Sequence, residues 1–153
     1  MTAVHDACAP TERAWRLFIE NSARVQTLLD ERLRAGDPAM SLTDYHVLLL
    51  LAEAPDHRLR MNELSRRMVF SASRLTYQVR TLCERGWLCR EPVPGDRRGS
   101  YAALTASGLT AFGSAARRHR DDVEEVFYSA LSPDDGPALE TVMRRLSTHL
   151  GTR

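Results

Sequence analysis

From Met61 to Leu104 the chain reads as two short amphipathic helices followed at once by two short strands, and few folds can accommodate that succession. The first helix, Met61 to Met68, turns Leu64 and Met68 to one side. Ser71 opens the second, in which Ala72, Leu75, Val79 and Leu82 recur at intervals of 3, 4 and 3, the repeat of one helical face. Gly86 follows, a residue suited to the left-handed backbone just past a helix end. Trp87 to Glu91 then reads as a strand, Pro92 to Gly99 as a turn and Ser100 to Leu104 as the returning strand. Two short helices and a hairpin make a winged helix-turn-helix.

The flanks are helical. Trp15, Phe18, Val25, Leu28, Leu29 and Leu33 pattern a helix from Thr11 to about Arg34, ended by Gly36-Asp37-Pro38. Ser41 or Thr43 caps a second helix reaching Ala54, with Leu42, Tyr45, Leu48, Leu49 and Ala52 inward, and Arg58-Leu59-Arg60 suits an edge strand. Thr105 caps a long helix expected to run to about Leu131, carrying Leu109, Phe112, Val123, Val126, Phe127 and Ala130. Ser132 as N-cap, Pro133 at the first helical position and two acids start the last helix. Leu139, Val142, Met143, Leu146 and Leu150 are its expected buried side. The fold class is mainly α with a small β-hairpin.

Several function classes are excluded. The longest apolar run, Val47 to Ala52, is far short of the roughly 20 residues a membrane span needs. Met1 to Pro10 lacks the basic and apolar regions of a signal peptide, so a cytoplasmic location is expected. Cys8, Cys83 and Cys89 form no CxxC pair, and Cys83 and Cys89 read as small, partly buried fillers. No GxGxxG, Walker, HExxH or GxSxG motif occurs, so no catalytic residue and no cofactor is expected. His46 and His119 can approach each other between the second and fifth helices, but a zinc site needs three or four ligands and the helical partner is missing, so no metal is expected either.

Net charge conceals a segregation. The 153 residues carry 21 basic side chains, all arginine, against 20 acidic ones, a net +1. From Arg58 through Arg98 there are ten arginines and four acids, a local +6, while the remainder sums to −5. The basic segment coincides with the helices and hairpin just described, as on a DNA-contacting face. The helix from Ser71 to Arg85 is about 22 Å long at 1.5 Å per residue, and suits a major groove about 12 Å wide. Ser71, Ser73, Arg74, Tyr77 and Gln78 are its expected outward residues near the N-terminus. Arg74 can donate twice to guanine and Gln78 can pair with adenine, while the serines suit phosphates. Arg97 and Arg98 on the turn are candidates for the minor groove, one entering while Asp96 holds the other in an ion pair.

At these positions the sequence resembles the MarR family of bacterial transcriptional regulators. Asp96-Arg97-Arg98-Gly99 followed by Leu104-Thr105 and Gly108 is similar to that family's DRR(x)5LTxxG wing signature. Ser71-Ala72-Ser73-Arg74-Leu75-Thr76, with Val79, Leu82 and Gly86-Trp87-Leu88, resembles its recognition helix and following strand, and Arg60-Met61-Asn62-Glu63-Leu64 its preceding helix. The resemblance implies that Thr76 joins the DNA-binding set, that Arg98 is the better minor-groove residue and that Asp96 braces the wing. It implies a homodimer reading a palindromic operator, often as a repressor relieved by a small aromatic or phenolic effector. Tyr77 stands where many members have arginine, so operator preference does not transfer. Residues 37–108 are then the DNA-binding domain, and 1–36 with 109–153 the dimerisation helices, whose apolar stripes need a partner. Trp15, Phe18, Tyr45, His46 and Phe112 are the candidate effector pocket. The alternative function is a winged-helix module for protein–protein contact without DNA.

Overall fold

The computed structural model describes residues 10–151, so His5 and Cys8 lie outside it. Helix α1 (Pro10–Ala35) buries Leu29 and Leu33, both near its C-terminal end. Helix α2 (Leu42–Ala52) begins with a reciprocal cap. The Ser41 hydroxyl accepts the Asp44 N–H at 3.0 Å, and the Asp44 carboxylate accepts the Ser41 N–H at 2.8 Å. The α2 residues Val47, Leu48 and Leu51 are fully buried and form the centre of the core.

Strand β1 (Arg58–Arg60), helix α3 (Met61–Met68) and helix α4 (Ala72–Glu84) follow, then strands β2 (Leu88–Val93) and β3 (Asp96–Leu104). The sheet is antiparallel in the order β1-β3-β2, with Leu59 opposite Ala102 on the buried face. Helix α5 (Ala106–Val126) and helix α6 (Asp135–Leu150) complete the chain. One continuous core joins Leu29 and Leu33 of α1, the α2 leucines, Leu64, Leu75, Val79 and Leu82 of the helix-turn-helix, and Ala111 and Ala115 of α5. Among the described residues no helix is long and apolar enough to cross a membrane.

Three local expectations are corrected. The long helix stops at Val126 rather than Leu131, and Tyr128–Ala130 forms a separate 3-10 turn. Ser132 does not cap α6. Its N–H and hydroxyl both donate to the Asp135 carboxylate at 2.7 Å, and the helix starts at Asp135. One Asp135 carboxylate oxygen gathers both Ser132 donors from three residues back, and the N-cap position falls to Asp134. Finally, α6 buries no residue against its own chain, and Val142, Leu146 and Leu150 stay exposed.

Candidate nucleic-acid interface

The recognition helix is aimed by the turn that precedes it. Val69 ends α3 in the left-handed region, with φ 54° and ψ 37°, and is 90% exposed. The Phe70 N–H donates back to the Ser65 carbonyl at 3.1 Å, and the Ser65 hydroxyl donates to the Phe70 carbonyl at 2.7 Å. Ser71 then caps α4, its hydroxyl accepting the Arg74 N–H at 3.3 Å. Leu75, Val79 and Leu82 are buried, in agreement with the apolar stripe, whereas Ala72 at the exposed first turn is not.

The face opposite that stripe presents Ser73, Thr76, Tyr77 and Arg80, all exposed. The Arg80 guanidinium lies 5.3 Å from the centre of the Tyr77 ring. Arg80 is not among the outward residues expected from the sequence, although its spacing holds the signal. At about 100° per residue it falls almost opposite the buried stripe, near Ser73 and Tyr77. The same arithmetic brings Gln78 back to within about 70° of the stripe. Gln78 is accordingly half-buried, and its amide donates to the carboxylate of Asp44 rather than pointing outward. Arg74 is exposed but folds back over the Phe70 ring at 3.9 Å.

In the wing, Val93 pairs with Asp96 across Pro94-Gly95, so the turn is tighter than the eight residues expected. Gly95, at φ 78°, meets the positive-φ requirement of a type II turn with proline before it. The next pair is Pro92 with Ser100, which leaves Arg97, Arg98 and Gly99 looped out of the ladder. Asp96 holds that loop. One carboxylate oxygen accepts the N–H groups of Arg98 and Gly99 at 3.1 and 3.0 Å, and the other pairs with Arg60 at 3.4 Å. A Cβ on Gly99 would crowd the Asp96 carboxylate, with Cγ 2.9 Å away. The expected ion pair between Asp96 and a wing arginine does not form: Arg97 and Arg98 are both exposed, and Arg60 reaches in from β1 instead. A groove of about 420 Å3 runs between α4 and the wing, bordered by Thr76 on one side and Arg98 on the other.

The expected effector pocket is not assembled within the chain. Tyr45 and Phe112 do meet, with ring centres 5.5 Å apart, and line a cleft of about 480 Å3 between α2 and α5. His119, which the sequence set omitted, joins them 4.3 Å from Tyr45. His46 instead borders a second cleft, of about 470 Å3, beside Phe70 and Arg74. Trp15 and Phe18 lie 6.3 Å apart and exposed, on the part of α1 that precedes its buried residues Leu29 and Leu33. Burial and the neighbouring His46 push the His119 imidazole below its ordinary pKa, against the opposing pull of Asp122. Its Nδ1 is buried without a hydrogen-bond partner among the described residues. No group of three or more metal-ligating side chains forms among those residues.

Comparison with known proteins gives a consistent set. A family profile described as the MarR family matches residues 40–99. The structure of Sco3205, a MarR family transcriptional regulator from Streptomyces coelicolor in complex with DNA, is 32% identical. The alignment covers 99% of this chain and 94% of that one, with a TM-score of 0.88. AbsC, a MarR family regulator from the same organism, is 29% identical over 97% of this chain and 99% of its own, also with a TM-score of 0.88. The HTH-type transcriptional regulator YkoM of Bacillus subtilis is 26% identical over 90% of this chain and 88% of its own. All three are regulators, not enzymes.

Proposed function

Because the chain belongs to the MarR family of transcriptional regulators, we propose that it is a homodimeric, sequence-specific binder of double-stranded DNA. The observation that carries this reading is the groove shared by the exposed face of α4 and the wing loop. An α-helix flanked by an arginine-bearing loop suits a major groove read beside a minor groove. Ser73, Thr76, Tyr77 and Arg80 are the residues for base edges and nearby phosphates, with Ser71 at the helix N-terminus. Arg74 joins only if DNA draws it from Phe70, and Gln78 serves from behind, bound to Asp44. Arg98 or Arg97 enters the minor groove, and Asp96 braces the loop that carries them. That Sco3205, 32% identical, is found in complex with DNA supports the DNA-binding reading.

Dimerisation belongs to residues 1–36 and 109–153, with 37–108 as the DNA-binding domain. Exposed Trp15, Leu17 and Ile19 on α1, with Val142, Leu146 and Leu150 on α6, support this division. Val142, Leu146 and Leu150 recur every four residues and so form one exposed apolar stripe, the kind of surface that marks an interaction site. A two-fold dimer places its half-sites about 34 Å apart, so the operator is palindromic. The regulator works in the cytoplasm as a repressor, released by a small aromatic or phenolic effector in the cleft of Tyr45, Phe112 and His119.

Selection from random duplexes tests the reading, followed by salt titration of the winning site. The Arg98→Ala variant is expected to weaken binding to every sequence and to lower the salt slope by about 1 per site. Failure of the unaltered protein to enrich any duplex overturns the proposal.

A further inference from the structure

Asp44 is the only polar or charged residue buried among the described residues, at 7% exposure. Capping α2 does not account for that burial, since a carboxylate in the first turn of a surface helix caps equally well in water. Removing a carboxylate from water is costly unless its oxygens are satisfied. Its cap supplies one donor, the Ser41 N–H at 2.8 Å, and the remaining partners come from the recognition helix and its C-cap. One oxygen accepts the Gln78 amide, and the other lies 3.7 Å from the Arg85 guanidinium. Arg85 is itself held, donating to the Ala39 carbonyl and lying 3.6 Å over the Trp87 ring.

Gln78 and Arg85 stand seven residues apart, close to two helical turns, and so on one side of α4. A grip at two points on one side of a helix limits both its rotation and its slide. The opposite side is the one that presents Ser73, Thr76, Tyr77 and Arg80. Directional hydrogen bonds to base edges tolerate little error in where their donors start. Resting on the DNA-binding reading above, we propose that Asp44 is a positioning residue for sequence recognition. Its carboxylate holds α4 in the rotation and axial position that aim the exposed face at the base edges. Phosphate contacts are less directional and depend on it far less.

The test compares a selected operator with a scrambled duplex of equal length, at one salt concentration, by fluorescence anisotropy. Asp44→Asn keeps the shape of the side chain but removes its charge and sets an NH2 group against one of its donors. Operator affinity is expected to fall about 10-fold, the size of a lost base-pair match, with less than about a 2-fold change on the scrambled duplex. Arg85→Met, which leaves the α2 cap intact, is expected to change the ratio in the same direction, and it carries the test alone if Asp44→Asn fails to fold. Equal losses on both duplexes, or no loss on either, overturn the proposal and leave Asp44 a stabilising cap. Absence of any preferred duplex for the unaltered protein is a different result, which strikes the DNA-binding reading itself.

Discussion

Gly108 and Gly113 lie five residues apart on α5, and alanine at the two positions is expected to act with opposite signs. Gly108 is in the first turn, where the helix presses against the start of β2. A Cβ there would intrude on the Trp87 carbonyl oxygen, with the carbonyl carbon 2.9 Å and Leu104 Cδ1 3.0 Å away. The obstacle is backbone and cannot swing aside. The same carbonyl also accepts the Thr105 N–H at 3.0 Å and the Thr105 hydroxyl at 3.1 Å, so retreat breaks the cap of α5. Overpacking costs about 1–3 kcal/mol, and a disrupted buried hydrogen bond about 1–3 more. Against these, alanine gains about 1 kcal/mol in helix propensity. The net is a loss of about 3 kcal/mol, or roughly 6–12 °C in melting temperature for a chain of this size. At Gly113 a Cβ meets nothing within 4 Å, so only the propensity gain remains, about 0.5–1 kcal/mol and roughly 1–4 °C upward. Scanning calorimetry of the two variants at matched protein concentration measures both. A Gly108→Ala protein melting at or above the parent would refute the argument, as would a Gly113→Ala protein that melts well below it.

Val69→Gly tests the strain in the recognition-helix turn. The left-handed backbone costs a β-branched residue about 1–2 kcal/mol, glycine returns about 0.5–1 of it in unfolded-state entropy, and at 90% exposure no burial is lost. A rise of about 0.5–1 kcal/mol in unfolding free energy by urea titration is expected, and a fall would show the side chain to be in use. His119 supplies a pH dependence. Its folded pKa lies below the ordinary 6.5, so between the two values the unfolded chain binds more protons. This contribution to stability is present above about pH 6.5 and is lost as pH falls through the folded value. His119→Phe should flatten that part of the profile between pH 8 and pH 5, and an unchanged slope would exclude His119 as its source.

The helix-turn-helix and wing were legible because they depend on short-range pattern. The 75/79/82 stripe is buried, Gly86 takes φ 74° past the end of α4, and Thr105 caps α5 by accepting the Gly108 N–H at 3.0 Å. The misplaced residues depend on partners remote in sequence. The 72/75/79/82 stripe leaves Gln78 on the expected outward side, but a carboxylate 34 positions earlier takes its amide. Nothing near Asp44 in the chain distinguishes it from an ordinary capping acid. The expected pocket residues are divided between separate places for a related reason. Helical period says which side of α1 is apolar, but not that the core ends before Phe18 is reached.

The charge of the winged segment shows what a tally can and cannot carry. Its four acids are all engaged within the segment, Glu63 by Arg67, Glu84 by Arg80, Glu91 by Arg58 and Asp96 by Arg60. Arg85 is held by Asp44 from outside it. Among the described residues no ion pair involves Arg66, Arg74, Arg90, Arg97 or Arg98, so the local +6 resolves into a few unpaired cations, two of them on the wing loop. Pairing does not remove the other five equally. The Arg80–Glu84 pair is 3.7 Å long with both side chains about two-thirds exposed, weak enough that a phosphate can compete for the guanidinium. Arg60 is different, because releasing Asp96 would loosen the loop that carries Arg97 and Arg98. An arginine's value to a DNA face therefore follows from what its partner acid is also holding, and that is fixed by three-dimensional contact rather than by count.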